Sequence, residues 1–192
     1  MKIYIVKETT VDEKRVALVP DVAKKFIKDG FDVFLEKDAG HLSKFADKDY
    51  SSIGVKIDNN QESISDADVI FCVRIPEDNI IDKIKSGACL IGLLNPYDNK
   101  EKLKHLSNRG INAFSMELIP RSPRAQSMDV LSSQSNLAGY RAVVDCVAEF
   151  EKAIPMMMTA AGTVPAAVII IGTAFSNSAT QSTTALYPAK LD

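Results

Sequence analysis

The sequence contains no tryptophan, few aromatic residues and no long hydrophobic run. Aromatic residues make up 7% of the 192 residues, so a platform that stacks nucleic-acid bases is not expected. The 23 basic and 25 acidic side chains give a formal charge of -2, which excludes the basic surplus of nucleic-acid or polybasic membrane binders. The apolar run 166–171 is far shorter than the ~20 residues of a membrane span. We therefore expect a soluble protein with neither nucleic acid as a partner nor a membrane span of its own.

Cysteine is also scarce. Cys72, Cys89 and Cys146 are odd in number, form no CxxC pair and lie in apolar stretches. This pattern predicts buried, reduced thiols of a cytoplasmic protein, and not a disulfide framework or a zinc site. Because the sequence has no cluster with metal-ligand spacing, we expect no bound metal.

Short apolar runs alternate with helical periodicity from residue 2 to residue 114. The predicted strands are 2–6, 32–36, 69–73, 88–94 and 111–114, and the predicted helices are 20–30, 47–53, 77–84 and 100–109. Such alternation predicts an α/β fold, with a mostly parallel sheet and helices on both of its faces. The first lobe is therefore expected to be Rossmann-like.

A long crossover helix is predicted next, over residues 133–150. Leu137, Tyr140, Val144 and Val147 follow helical spacing, and Ser132 or Ser133 is the expected N-cap. A buried strand, 168–171, would then begin a second Rossmann lobe. We expect an N-terminal α/β domain over 1–132, and the crossover helix with an incomplete NAD-binding domain over 133–192.

The segment 120–129, which precedes this helix, combines two arginines, a glutamine and an aspartate. It follows a predicted strand, and ligands of open parallel sheets bind at the carboxyl ends of strands. The guanidinium of Arg121 suits a phosphate or carboxamide oxygen, and the amide of Gln126 can both donate to and accept from a nicotinamide carboxamide. Asp129 can orient an arginine. The alternative is a rigid connection in which Arg121 and Asp129 merely pair.

Two further features carry weaker signals. Arg15 follows the first strand and precedes a helix, where it either reaches an anionic ligand or is a solvated residue of a charged loop. Gly172 ends the strand 168–171, but Ala174 and Asn177 stand where a dinucleotide fingerprint has its second and third glycines.

The run 121–142, RSPRAQSMDVLSSQSNLAGYRA, closely resembles the NAD(H)-binding component, or alpha subunit, of proton-translocating NAD(P) transhydrogenases. PMMMTAAGTVP at 155–165 and the earlier motifs RVALVP and GFDVFLEKDAG share this resemblance, which covers residues 1–172. The family therefore implies an oxidoreductase that transfers hydride between NADH and NADP+.

The resemblance also implies roles for individual residues. Arg121 and Asp129 would hold the dihydronicotinamide ring and its carboxamide, and Gln126 would reach toward the second nucleotide. Ser132 would hydrogen-bond the carboxamide, and Gly172 would belong to the NAD-binding turn. Arg121, Gln126 and Asp129 are thus the catalytic candidates, although no acid–base residue is required where the cofactors carry the chemistry.

The same resemblance implies partners. NADP+ would be bound by a separate beta component, and a membrane proton-channel component would couple hydride transfer to proton translocation. The chain would form a homodimer and be cytoplasmic, or peripheral at the inner membrane through these subunits.

Alanine dehydrogenases are more distantly similar and share Arg15. Their catalytic lysine and histidine fall at Arg74 and Asn95 of this sequence. Arginine does not readily give up a proton, and asparagine has no imidazole to act as an acid or base. An amino-acid dehydrogenase is therefore less favoured.

The resemblance stops after Gly172. Where the family continues with a glycine-rich turn and a helix, residues 173–184 show no apolar face. We expect a truncated nucleotide lobe and hypothesise that this tail is read out of frame. The alternative to a transhydrogenase subunit is a non-catalytic remnant or dimerisation module.

Overall fold

The computed structural model describes residues 1–120 and 122–149, and its first compact unit is Met1–Met128. The strands are β1 (Lys2–Ile5), β2 (Asp32–Glu36), β3 (Lys56–Asp58), β4 (Val69–Arg74), β5 (Cys89–Leu93) and β6 (Asn112–Ser115). The helices of this unit are α1 (Pro20–Lys28), α2 (Asp47–Ser51), α3 (Asp78–Ile81) and α4 (Lys100–Asn108). Shorter 3-10 helices cover His41–Ser43, Ser63–Asp66, Met116–Leu118 and Pro123–Met128.

The six strands form one parallel sheet in the order β3-β2-β1-β4-β5-β6. This is the doubly wound order of Rossmann-like folds, and it confirms the predicted fold class. The sequence analysis missed β3, because its three residues contain a single apolar side chain, Ile57, between two charged ones. Pairing with β2 makes it a strand, with Leu35 opposite Ile57.

Helices cover both faces of the sheet because side chains alternate in direction along each strand. One buried cluster joins Ile3, Ile5, Leu35, Ala23 of α1 and Tyr50 of α2. The other joins Tyr4, Ile70, Leu90, Ile81 of α3 and Leu106 of α4. The central strand β1 thus contributes to both cores.

Strands β4 and β5 pack closely at Gly92. A Cβ atom at this position would lie 2.5 Å from the carbonyl oxygen of Cys72 and 2.6 Å from its Sγ atom. The register between the two strands shifts between Phe71 and Arg74. A side chain at Gly92 would therefore push apart the strands that carry the carboxyl edge of the sheet.

The described part of the second unit, which begins at Asp129, contains α5 (Val130–Ala148). This helix confirms the helix predicted over 133–150 but begins three residues earlier, and its role as a crossover remains a prediction. The prediction of Ser132 or Ser133 as N-cap was wrong: Asp129 is the cap, and its side chain accepts a hydrogen bond from the Ser132 amide. Aspartate caps a helix as well as serine does, so the apolar pattern alone could not locate the first turn.

Several large apolar side chains of α5 are exposed to solvent. Leu137 is 60% exposed and Tyr140 72%, and Val143, Val144 and Val147 are also exposed. The domain limits 1–132 and 133–192 remain a prediction. The predicted strand 168–171, Gly172 and the tail after it lie outside the described residues.

Candidate functional site

The first candidate site lies where the sheet changes winding direction, between β1 and β4. The chain leaves these neighbouring strands toward opposite flanks, which opens a crevice at their carboxyl ends. The β1–α1 loop, residues 6–19, forms one wall, and residues 74–77 after β4 form the other. The topology alone makes this the place to look for ligand-binding side chains.

A cluster of charged side chains joins these walls. The Glu13 carboxylate accepts hydrogen bonds from Arg15 Nε at 2.7 Å and Arg15 Nη2 at 2.6 Å. It also accepts one from Arg74 Nε at 3.2 Å. The Glu13 side chain is 7% exposed, whereas those of Arg15 and Arg74 are about 40% exposed. Glu13 is therefore a largely buried anion shared by two partly exposed cations.

The pKa of Glu13 reflects this arrangement. Burial would raise the pKa, but the hydrogen bonds from Arg15 and Arg74 outweigh it and bring the pKa below its ordinary value. The same carboxylate raises the pKa of Arg15. Arg15 is therefore not simply a solvated arginine of a charged loop, because Glu13 holds it, and its reach to an anionic ligand remains a prediction.

Glu8 makes a second connection from the β1–α1 loop to β4. Its Oε1 accepts the Val73 amide N–H at 2.5 Å, and its Oε2 accepts the Arg74 amide N–H at 3.1 Å. Burial raises the pKa of Glu8 despite these two hydrogen bonds. No site role for Glu8 or Glu13 was predicted from the sequence, because an acidic residue in a loop after a strand is normally solvated and carries no distinctive local pattern.

The crevice between these walls is a small cleft. The hydroxyl of Thr9 donates to Glu77 Oε1 at 3.3 Å across it, and Glu36 and Gln61 also line it. Gln61 Nε2 donates to Glu36 Oε1 at 2.7 Å. The switch-point crevice is thus held together by side chains of the protein itself.

Further along the same edge, Asn95 follows β5 with a left-handed backbone, φ 46°. Its amide N–H donates to Glu117, and its Nδ2 donates to Asp98 at 2.7 Å. Asn95 and Arg74 are the two positions at which the resemblance to alanine dehydrogenases implies a catalytic histidine and lysine. In this chain both are engaged with acidic neighbours, Arg74 with Glu13 and Asn95 with Asp98 and Glu117.

The second candidate site is the predicted nicotinamide loop. Gln126 is exposed in the 3-10 helix Pro123–Met128. Arg121 lies outside the described residues, as does Gly172. The predicted loop is therefore partly helical, and the amide of Gln126 is accessible.

The structure brings two predicted site residues together at the start of α5. Asp129 Oδ1 accepts the Ser132 amide N–H at 3.0 Å, and Asp129 Oδ2 accepts the Ser132 hydroxyl at 2.6 Å. Asp129 is partly buried and Ser132 is exposed. The aspartate therefore both caps the helix and orients the serine hydroxyl, whose oxygen retains acceptor capacity.

The cysteines are free thiols. Cys72 is buried, and burial raises the pKa of its thiol. The expectation of burial was wrong for Cys89, at the first residue of β5, and for Cys146, on α5, since both are partly exposed. Within residues 1–120 and 122–149, there is no group of three acidic, histidine or cysteine side chains that could hold a metal ion. In the same described part of the chain, no helix is long and apolar enough to cross a membrane.

The strand order and the helices on both faces define a doubly wound, Rossmann-like α/β protein with a charged cluster at the carboxyl edge of its sheet. The family model described as "Alanine dehydrogenase/PNT, N-terminal domain" matches residues 4–138. The chain belongs to this family, which confirms the resemblance read from the sequence.

Within this family, the chain is more similar to transhydrogenases than to an alanine dehydrogenase. The chain is 43% identical over 178 residues to an NAD(P) transhydrogenase alpha subunit of Rickettsia prowazekii, covering 89% of this chain and 46% of the relative. The crystal structure of a transhydrogenase from Sinorhizobium meliloti superposes with a TM-score of 0.78 at 46% identity, over 87% of this chain and 50% of that one. An L-alanine dehydrogenase structure is more distant, with a TM-score of 0.70 at 26% identity over 77% of this chain and 40% of that one. The chain thus spans about half the length of the relatives it matches.

Proposed function

We propose that the chain acts on the NAD(H) side of an NAD(P) transhydrogenase, in which hydride passes between NADH and NADP+ and the transfer is coupled to proton translocation. Membership of the family and the identity to transhydrogenase alpha subunits support an oxidoreductase of this kind. Because these relatives are named as alpha subunits, they imply an enzyme of several subunits.

One observation carries the proposal. Asp129 and Ser132 form a hydrogen-bonded pair in the first turn of α5, directly after the segment that contains Arg121 and Gln126. A hydroxyl oriented by a carboxylate suits a carboxamide, which has both donors and an acceptor. The residues present therefore fit a nicotinamide group, and we assign to Ser132 and Asp129 a role in holding it.

The protein's contribution is positional. Bound NADH supplies the hydride, and the chain supplies distance and orientation. Gln126, which is exposed within this segment, would offer its amide to the second nucleotide. Arg121 supplies a cationic fork for the carboxamide or a phosphate, and Gly172 contributes to the turn at the pyrophosphate. These assignments make Arg121, Gln126 and Asp129 the residues whose loss should affect transfer.

The partners follow from the same proposal. An NADP-binding beta component and a membrane proton-channel component complete the enzyme, and the chain pairs with a second copy of itself. Its location is the cytoplasm, or the inner membrane surface through these subunits.

Calorimetric titration of the full chain with NADH tests the proposal. Saturable heat is expected for the wild type, with weaker binding for Ser132→Ala. Ser133→Ala, the next exposed serine of α5, is the matched control and should bind as the wild type does. If the wild type gives no heat while its circular dichroism spectrum shows a folded protein, the proposal fails for this chain.

A second candidate is a non-catalytic dimerisation or interaction module. The exposed apolar side chains of α5 favour it, because contiguous exposed apolar surface is typical of protein contacts. It predicts no NADH heat but concentration-dependent association in sedimentation. An alanine dehydrogenase would instead oxidise NADH in the presence of pyruvate and ammonium, which the residues at Arg74 and Asn95 disfavour.

A further inference from the structure

Two carboxylates of the β1–α1 loop hold the end of β4, and we name Glu8 and Glu13 together the carboxylate clamp. Glu8 binds the backbone of β4, through the amides of Val73 and Arg74. Glu13 binds a side chain of β4, through Arg74 Nε. The clamp lies at the switch point of the sheet, the position at which open α/β sheets bind ligands. The protonation state of these two carboxylates therefore decides whether the two walls of the crevice stay joined.

The two halves of the clamp respond differently to a proton. An ionised Glu8 carboxylate has acceptor capacity on both oxygens and satisfies both amide N–H groups. Once protonated, one of its oxygens becomes a hydroxyl that faces an N–H group, so Val73 or Arg74 loses its acceptor. Glu13 instead faces two guanidinium groups, which stabilise its anionic form.

The surroundings of Glu8 carry charges of both signs. The charged or titratable groups near it are Glu13, Arg15 and Lys7 on its own loop, Cys72 and Arg74 on β4, and Glu36 and Glu77 around the cleft. Burial and the Glu13 charge raise the pKa of Glu8, and the two amide hydrogen bonds and the Arg15 charge offset this only in part. The pKa of Glu13 is lowered. Acidification therefore reaches Glu8 before Glu13.

We propose that Glu8 is the acid-sensitive half of the clamp: ionised, it holds the β1–α1 loop against β4 through two backbone amides, and protonated, it gives up the amide of Val73 or of Arg74 while Glu13 still holds the Arg74 side chain. This device is independent of the proposed transhydrogenase function. The contact between the β1–α1 loop and β4 is then lost in two steps as the pH falls, first at Glu8 and then at Glu13.

Nuclear magnetic resonance of the full chain tests the proposal directly. The amide signals of Val73 and Arg74 should titrate together, with a midpoint above the ordinary value of 4.5 for a glutamate. The Arg74 Nε signal, held by Glu13, should stay in place until the pH is lower. Amide signals of Val73 and Arg74 that do not move above pH 4.5 would overturn the proposal, whatever the outcome of the NADH titration.

Matched variants assign the titration. E8Q keeps the size of the side chain but cannot ionise, so the shared titration of the two amides should be lost. E77Q alters a carboxylate on the other wall, which Thr9 contacts, and should leave the titration intact. E13Q should lower the midpoint of this titration, because the Glu13 charge raises the pKa of Glu8. Persistence of the same titration in E8Q contradicts the proposal, and where E8Q does not fold, the wild-type titration alone decides.

Discussion

Replacement of Gly92 by alanine should weaken the sheet beside the candidate site. The new Cβ would lie 2.5 Å from the Cys72 carbonyl oxygen and 2.6 Å from Cys72 Sγ, where ordinary contact begins at 3.4 Å. The carbonyl belongs to the backbone of β4, which is held between β1 and β5 and cannot rotate away freely. The strands would have to separate by several tenths of an ångström, which strains a ladder with a spacing of about 4.8 Å.

The cost follows from this overlap. Overpacking a core costs about 1–3 kcal/mol, and a clash with backbone belongs at the upper end, near ~3 kcal/mol. A domain has a free energy of unfolding of only about 5–15 kcal/mol. With a urea dependence of about 2 kcal/mol per molar, the midpoint of unfolding should fall by roughly 1.5 M.

Urea unfolding followed by circular dichroism measures this shift. Gly139→Ala is the control, because a Cβ there meets open space within α5 and should stabilise the helix by up to ~1 kcal/mol. Adding Cys72→Ala to Gly92→Ala removes the contact with Sγ but leaves that with the carbonyl, so recovery should be partial. A Gly92→Ala protein that unfolds at the wild-type midpoint with an unchanged slope would refute the reasoning.

Three further predictions follow from single side chains. Asp129→Ala should destabilise α5 by about 1 kcal/mol through loss of its cap, which the helical signal in circular dichroism measures. Asp129→Asn should retain the cap but weaken NADH binding, which calorimetry measures. Tyr50→Phe should cost about 1 kcal/mol in chemical unfolding, because the buried hydroxyl donates to the Leu18 carbonyl at 2.9 Å; no change in midpoint would contradict this. Burial alone would raise the pKa of Asp58, but hydrogen bonds from backbone amides including that of Ser63 bring it below the ordinary 3.8. The ionised Asp58 carboxylate therefore stabilises the fold fully above pH 3.8, and this stabilisation is lost as the pH falls through the lower folded-state pKa. In Asp58→Asn, thermal stability should decrease less over this acid range than in the wild type. A pH profile of thermal stability that matches that of the wild type would contradict the prediction.

Local sequence patterns predicted much of the fold because the periodicity of apolar residues reflects which face of each strand or helix is buried. The alternation of apolar runs with helical periods indicated the parallel sheet, and its strands lie within a residue or two of the predicted bounds. The pattern failed at β3, where a single apolar residue gives no period, and at the start of α5, where aspartate and serine cap equally well. Arg121, Gln126, Asp129 and Ser132 were found from a motif, and their functional roles remain predictions.

The sequence by itself determined the order of strands and helices along the chain and the family, because both are encoded in neighbouring residues. Only the tertiary structure brought Glu8 and Glu13 to Arg74, which lies 61 residues after Glu13. Neither glutamate has a distinctive local pattern, since a loop carboxylate is normally solvated. The pairing of β1 with β4 brings both beside a second strand, where Glu13 is buried and Glu8 partly buried, and in that environment an unpaired carboxylate would be costly. Partners distant in the sequence therefore decide what these residues do.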